Sequence, residues 1–189
     1  MPTSIKTFIN NTIPSIIGRH SIWIPGYALS PALVDGAAPN SFETATSNVT
    51  IRTLDFDATT QEFAQFTIQM PKAWDEGTLT AQTAWSHTTT ATNFGVAWAI
   101  QAYAFADGDT LDPAGWGTEV VFTDTGGTAN TLYITANSTP FTVGGTPGPE
   151  EVVVFRIKRV PANASDTLAV DARLHGVKIQ YTIDAATDA

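Results

Sequence analysis

Near its end the chain reads "VDARLHGVKIQYTID" (170–184), with Asp171, Arg173 and His175 at every second position. A carboxylate, a guanidinium and an imidazole on one face have the parts of an acid–base site. The same spacing marks the wet side of a β-strand, where alternate residues share a face. The apolar residues around them decide. Val170, Ala172 and Leu174 fall on even positions, and Val177, Ile179, Tyr181 and Ile183 on odd ones. The phase slips by one at His175–Gly176, and such a slip turns every later side chain to the other face. Glycine at a slip is what a β-bulge or a strand changing sheets uses. The stretch therefore predicts a bulge at Gly176, with Asp171, Arg173 and His175 as a ladder facing solvent or another subunit.

Other constellations are thinner. Ser86 and His87 are neighbours, so on a strand they point to opposite faces, and no G-x-S-x-G is present. His20, His87 and His175 share no short metal-ligand spacing. The loop "DGDTLD" (107–112) offers Asp107, Asp109 and Asp112 as hard oxygen ligands for calcium, but Leu111 breaks the EF-hand pattern and a plain acidic turn accounts for it. Paired carboxylates for glycoside hydrolysis are available among Asp55, Asp57, Glu62, Asp75 and Glu76, as in any acidic β-protein. Nothing resembles a phosphate-binding glycine loop. Of the tryptophans, Trp85 and Trp98 occupy core-facing strand positions. Trp74 in "PKAWDEG" and Trp116 in "PAGWG" lie on loops, where they either stack on a sugar or plug an end of the fold. No catalytic residue, cofactor or firm metal site emerges, and the expectation is a protein that is not an enzyme.

What must position these residues is a set of strands. Charged residues make up 14% of the chain, while Thr, Val, Ile, Phe and Trp abound, as suits a pleated, half-buried surface. Alternation of period two runs through 62–70, 78–85, 93–106 and 151–160, with shorter candidates at 21–24, 47–54, 119–123, 131–135 and 141–143. Turn residues separate them in "DEG", "DGD", "DTGGT", "GGTPGP" and "PANASD". No three-turn amphipathic helix interrupts 21–189, and many short strands of this kind predict an all-β, jelly-roll-like antiparallel sandwich. The far face of 93–106, with Ala97, Ala99, Tyr103 and Phe105, is apolar too, as on a central strand or one covered by a neighbouring subunit.

Residues 1–20 differ. Ile5, Phe8, Ile9, Ile13, Ile16 and Ile17 fall near helical spacing, but Asn10, Asn11 and Pro14 oppose a stable helix. They form an N-terminal arm that lies on its own domain or orders against a partner. The stretch has no uninterrupted apolar core and does not read as a signal peptide.

The chain lacks cysteine, which removes disulfides and thiolate chemistry. Its net charge is −9, with nine basic residues spread along it. That opposes nucleic-acid binding, which needs clustered cations, and adsorption to anionic membranes. Arg156, Lys158 and Arg159 form the one basic cluster, suited to an acidic neighbouring subunit.

The stretches "WIPGYALSPALVDGAA", "LDFDATTQEFAQFTIQMPKAWDEGTLTAQTAWSH", "NFGVAWAIQAYAFADGD", "TDTGG" and "DTLAVDARLHGVKIQYTIDAATDA" resemble a small β-domain of tailed bacteriophages and prophages, grouped among virion structural proteins. The resemblance covers nearly all of 21–189 and omits residues 1–20. It implies a jelly roll of the head-decoration (cement), head-fibre or tail-fibre type and carries no catalytic residues.

The resulting expectation is one jelly-roll domain, 21–189, behind an arm, 1–20. It would be a capsid decoration protein on the virion exterior, assembled in the bacterial cytoplasm. Its partners would be the major capsid protein and copies of itself, with a homotrimer as the candidate assembly. The interface would use Ile5, Phe8, Ile9, Ile13, Ile16 and Ile17 of the arm together with Arg156 and Lys158. The alternative is a fibre module that binds a host-surface glycan through Trp74 and Trp116.

Overall fold

The computed structural model describes residues 18–90 and 94–185. Ile5, Phe8, Ile9, Ile13, Ile16 and Ile17 lie outside the described residues. The sandwich is under way by Gly18, so the last three residues assigned to the arm belong to its first strand.

Eleven strands follow in order: β1 (Gly18–Pro25), β2 (Ser30–Pro31), β3 (Ala38–Glu43), β4 (Thr50–Phe56), β5 (Phe63–Gln69), β6 (Thr80–Ser86), β7 (Phe94–Phe105), β8 (Val120–Gly126), β9 (Tyr133–Ile134), β10 (Val152–Arg159) and β11 (Ala172–Ile183). A single 3-10 turn, Gly26–Ala28, is the helical element among the described residues. Sheet A runs β3-β4-β11-β6-β9, with β1 also paired to β11; sheet B runs β2-β5-β10-β7-β8. Every pairing between named strands is antiparallel. The chain is an all-β, jelly-roll-like sandwich.

Alternation explains which side chains meet between the sheets. Val153, Phe155 and Ile157 of β10 are fully buried, as are Leu174, Val177 and Ile179 of β11. Phe66 and Phe155 stack with centroids 4.8 Å apart, and Phe56 meets Trp98 edge-on at 5.2 Å. Trp85 Nε1 donates 2.8 Å to Asp124 Oδ2, a bond from β6 of sheet A to β8 of sheet B.

The phase slip in β11 is a bulge. Leu174 pairs with Trp85 and Gly176 with Ala84, leaving His175 as the extra residue. The bulge coincides with a change of neighbour on the other edge. Ala172 to Leu174 pair with β4, whereas Gly176 to Ile183 pair with β1. A side chain on Gly176 would put its Cβ 2.4 Å from Trp23 Cζ2 and 2.6 Å from the Ile24 carbonyl oxygen, so the crossing of β1 and β11 requires glycine there.

Several expectations are corrected. The segment 141–143 forms only an isolated bridge at Phe141, and 131–135 contracts to the two residues of β9. Strand β3 is absent from the expected set because Pro39 and Asn40 weaken the pattern. It lies at the edge of its sheet, where a strand tolerates proline. Arg159 does not belong to an outward basic cluster: it follows the parity of Val153, Phe155 and Ile157 and is fully buried. Its guanidinium holds Asp166 bidentately, Nε to Oδ2 at 3.0 Å and Nη2 to Oδ1 at 2.8 Å. It also donates to the carbonyls of Phe56, Leu168 and Val170. The network ties the end of sheet B to sheet A where the chain crosses between them.

Candidate functional site

The outer face of sheet A carries the most varied surface chemistry. Trp23 stands between Ile22 and Ile24, whose side chains turn inward, so the indole turns outward. It is 52% exposed, with the six-membered end of its ring over Gly176. Lys178 is its direct cross-strand partner. Trp23 and Lys178, with Gln82, Ala84, Leu132, Ile134 and His175, line a depression of about 320 Å³. A second depression of about 220 Å³ continues past Leu132 and His175 to Ser86, Asn130, Phe42 and Ile51. The two form one groove that meets at the bulge.

Polar groups sit in its middle. Ser86 Oγ and His175 Nε2 share a hydrogen bond of 2.8 Å. Burial holds the His175 pKa below its ordinary value, and the Arg173 charge pushes the same way against the opposing pull of Asp55. The imidazole is therefore neutral near pH 7. Arg173 lies over the Phe42 ring at 4.6 Å and reaches Asp55, Nε to Oδ2, at 3.5 Å. Asp55 also accepts from Asn40 at 2.5 Å and Thr53 at 2.7 Å. Asn130 occupies the left-handed region, φ 55°, which asparagine tolerates, and its Oδ1 lies 3.5 Å from Arg173 Nη1.

A serine bonded to a neutral imidazole has the length of a nucleophile–base contact. The third part is engaged elsewhere, because Asp55 is bound to Asn40, Thr53 and Arg173. Ser86 is itself 4% exposed, within a paired strand. Ser86 and His175 thus tie β6 to β11 beside the bulge. Asp171, the first member of the sequence ladder, stays apart. Its pKa is raised by burial and then by the charges of Asp57 and Asp55.

The other sequence candidates fall elsewhere. Trp74 is 1% exposed and bridges to Ile183, so it plugs the sandwich and cannot meet a ligand. Trp116 is half-buried because Arg156 is held between its ring, 4.7 Å away, and that of Phe63, 4.8 Å away. With its amide oriented to suit its neighbours, Gln101 accepts from Arg156 and donates to Glu119. Lys158 forms a 2.8 Å ion pair with Glu119. Arg156 and Lys158 thus bind within the chain on the outer face of sheet B. The loop of Asp107, Asp109 and Asp112 is a turn in which Asp109 Oδ2 accepts from the Ala106 N–H. Among the described residues no three His, Asp or Glu side chains gather to hold a metal.

The exposed indole that sequence reasoning missed is Trp23. Its signal was present in "SIWIP", where two isoleucines flank it and fix its parity.

No family profile matches the sequence, and no curated protein is similar to it in sequence. Solved structures share the fold at low identity. The C-terminal family 22 carbohydrate-binding module of a Clostridium thermocellum protein is 11% identical, with TM-score 0.42 over 85% of this chain and 87% of that one. A chain of infectious bursal disease virus, Gx strain, is 13% identical, with TM-score 0.35 over 89% of this chain and 34% of that one. The enzymatically active domain of bacteriophage CBA120 tailspike protein 4 is 13% identical, with TM-score 0.32 over 89% of this chain and 20% of that one. The chain is similar to carbohydrate-binding modules and to viral capsid and tailspike domains at the level of the jelly-roll fold.

Proposed function

We propose that the chain is a non-catalytic structural protein of a tailed-phage particle, a capsid decoration protein. It seats on the outer surface of the major capsid protein shell, contacts copies of itself and stabilises the shell. The resemblance of 21–189 to phage virion domains supports this reading. The observation that carries it is the division of labour among side chains. The groups able to do chemistry are bonded into the fold, while large apolar ones remain on the surface. Trp23, Leu132 and Ile134 are exposed beside sheet A; Val121, Val152 and Leu111 beside sheet B. Exposed apolar surface rimmed by polar residues is a feature of surfaces that bind a partner or a ligand. Contacts of roughly 800 Å² per partner suffice for a stable seat.

The test is co-sedimentation of the purified chain with expanded capsids that lack it. The full chain is expected to pellet with capsids and to raise their melting temperature. Failure to bind overturns the reading. A second sample lacking residues 1–17, cut there so that β1 stays whole, tests the arm: undiminished binding removes the arm as the anchor.

One observation favours a second reading, recognition of a host-surface glycan. The exposed indole over a groove with hydrogen-bonding groups is the arrangement that sugar rings stack on. The site is Trp23, not Trp74 or Trp116. Glycan-array binding that disappears in Trp23→Ala and persists in Trp116→Ala supports it; an array with no binding removes it.

A further inference from the structure

The chain carries 18 acidic and nine basic residues, yet no carboxylate lines either half of the sheet A groove. Three other cations of the strands are matched by carboxylates, whereas Arg19, Arg52 and Arg156 make no ion pair among the described residues and lie away from Trp23 and its groove. Lys158 pairs with Glu119, Arg159 with Asp166 and Arg173 with Asp55. Lys178 makes no ion pair among the described residues, and it stands directly across from Trp23. An unmatched ammonium beside an open indole is a local reversal of the charge of the molecule.

We infer that this groove takes acidic sugars, specifically hexuronates, with the apolar face of the ring on Trp23 and the carboxylate at Lys178. The inference rests on the glycan-binding reading and adds the chemical class of the ligand. A pyranose is amphipathic: one face is C–H, the rim is hydroxyl. The groove repeats that pattern. Trp23, Leu132 and Ile134 offer apolar surface, the His175 imidazole lies in the middle where the two depressions meet, and Lys178 stands at the rim. A purely apolar partner would leave the Lys178 charge without a counter-ion. A neutral sugar would accept a hydrogen bond from it but leave the charge without a counter-ion. The carboxylate of a uronate satisfies it from a position on the ring edge, while the ring stacks.

The experiment is calorimetric titration of the full chain with hexasaccharides of alginate, oligogalacturonate and hyaluronan, and with the same oligosaccharides after reduction of their carboxyl groups. At least one uronate oligosaccharide is expected to bind, and its reduced form to bind about fivefold more weakly, the worth of one exposed ion pair. Trp23→Ala is expected to weaken binding by about tenfold or more, as for a central aromatic contact. Lys178→Gln should remove the difference between the acidic and reduced forms, and raised salt should shrink it. Should Trp23→Ala fold poorly, Trp23→Tyr keeps a ring at the position and should retain part of the affinity, which Lys178→Gln tests independently. Equal binding of acidic and reduced oligosaccharides overturns the inference and leaves glycan binding standing. Binding of neither form overturns both. Self-association that disappears in Trp23→Ala and is unaffected by saturating uronate assigns the groove to a second copy of the chain and overturns the inference as well.

Discussion

The buried Arg159 gives the sharpest test of how the sandwich is closed. Its guanidinium is 0% exposed and holds the Asp166 carboxylate, which is itself 1% exposed. Arg159→Met keeps the apolar stem and removes every donor. Asp166 then retains the Ala97 N–H, 3.0 Å from Oδ2, and the carbonyls of Phe56, Leu168 and Val170 lose their donor. Breaking a buried pair from one side costs about 3–5 kcal/mol, because the surviving charge stays buried without its partner. For a chain of this size each kcal/mol moves the melting temperature by about 2–4 °C, so a loss of roughly 10 °C is expected. Urea denaturation gives the free energy directly, with an unchanged m-value showing that compactness is preserved. Hydrogen exchange should locate the damage. The Ala97 amide bonds to Asp166 and the Gly95 amide to Thr167, and both should lose protection before the core of β10. The matched variant is Asp166→Asn, with the double variant completing a cycle. A coupling of about 2 kcal/mol or more is expected between residues in direct contact. If Arg159→Met costs under about 1 kcal/mol, or if the two substitutions simply add, the guanidinium is not what joins the sheets and the reasoning fails.

Further outcomes follow from the same structure. Burial pushes the His87 pKa below its ordinary 6.5, opposed in part by the Thr89 backbone, and the ring packs on Phe94 at 4.5 Å and Tyr133 at 5.6 Å. The unfolded chain therefore binds a proton at His87 that the folded chain resists. Stability is full above about pH 6.5 and declines as pH falls below it, and His175 adds to the decline in the same direction. Melting curves from pH 7.5 to 5 should show this, with a shallower slope in His87→Phe; an identical slope excludes His87 as a source. Gly176→Ala drives a Cβ into Trp23 and the Ile24 carbonyl and should cost about 1–3 kcal/mol by chemical denaturation. Adding Trp23→Ala should recover only part, because the backbone contact remains. Trp74→Ala should lose about 3–5 kcal/mol of stability, the cost of emptying a packed aromatic site, while any ligand affinity of the folded fraction is unchanged.

Much of the architecture was legible because strands announce parity. The slip between Leu174 and Val177 located the bulge to within one residue, since a strand cannot keep one face through a change of phase. Parity also held the answer for Arg159, in register with Ile157. The charge of its side chain pointed outward and the register pointed inward, and the register prevailed because Asp166 and three carbonyls compensate the charge. Strand β3 was hidden because its pairing with β4 is a backbone matter that "APNSFE" does not display. The groove was less legible still. Ser86 and His175 are 89 residues apart, and their 2.8 Å contact comes from the cross-strand register of β6 and β11 with one residue added. Trp74 illustrates the converse. Its loop position left two readings, a plug or a sugar platform, and the plug is the one found, because whether an indole on a loop turns in or out is decided by the packing at the end of the sandwich, a property of distant strands.

The bulge in β11 joins architecture to surface chemistry. Without His175 as an extra residue, the side chains after Leu174 would keep their phase, and Val177, Ile179 and Tyr181 would face outward in place of Lys178 and Gln180. Without a glycine after it, β1 could not carry Trp23 across the strand. The same two residues therefore let β11 exchange β4 for β1 along one edge and open the groove at the point of exchange. Gly176 and Lys178 consequently predict different experimental signatures. A side chain at Gly176 displaces the indole and strains the β1–β11 pairing, so stability and ligand affinity fall together. Lys178 projects from the outer face with no ion pair to lose, so Lys178→Gln alters affinity for acidic ligands while the melting temperature stays within about 1–2 °C of the parent, as for a surface substitution. Parallel losses in both variants would mean that the groove is only a by-product of how the strands pack, whereas separate ones mean that its charge serves recognition.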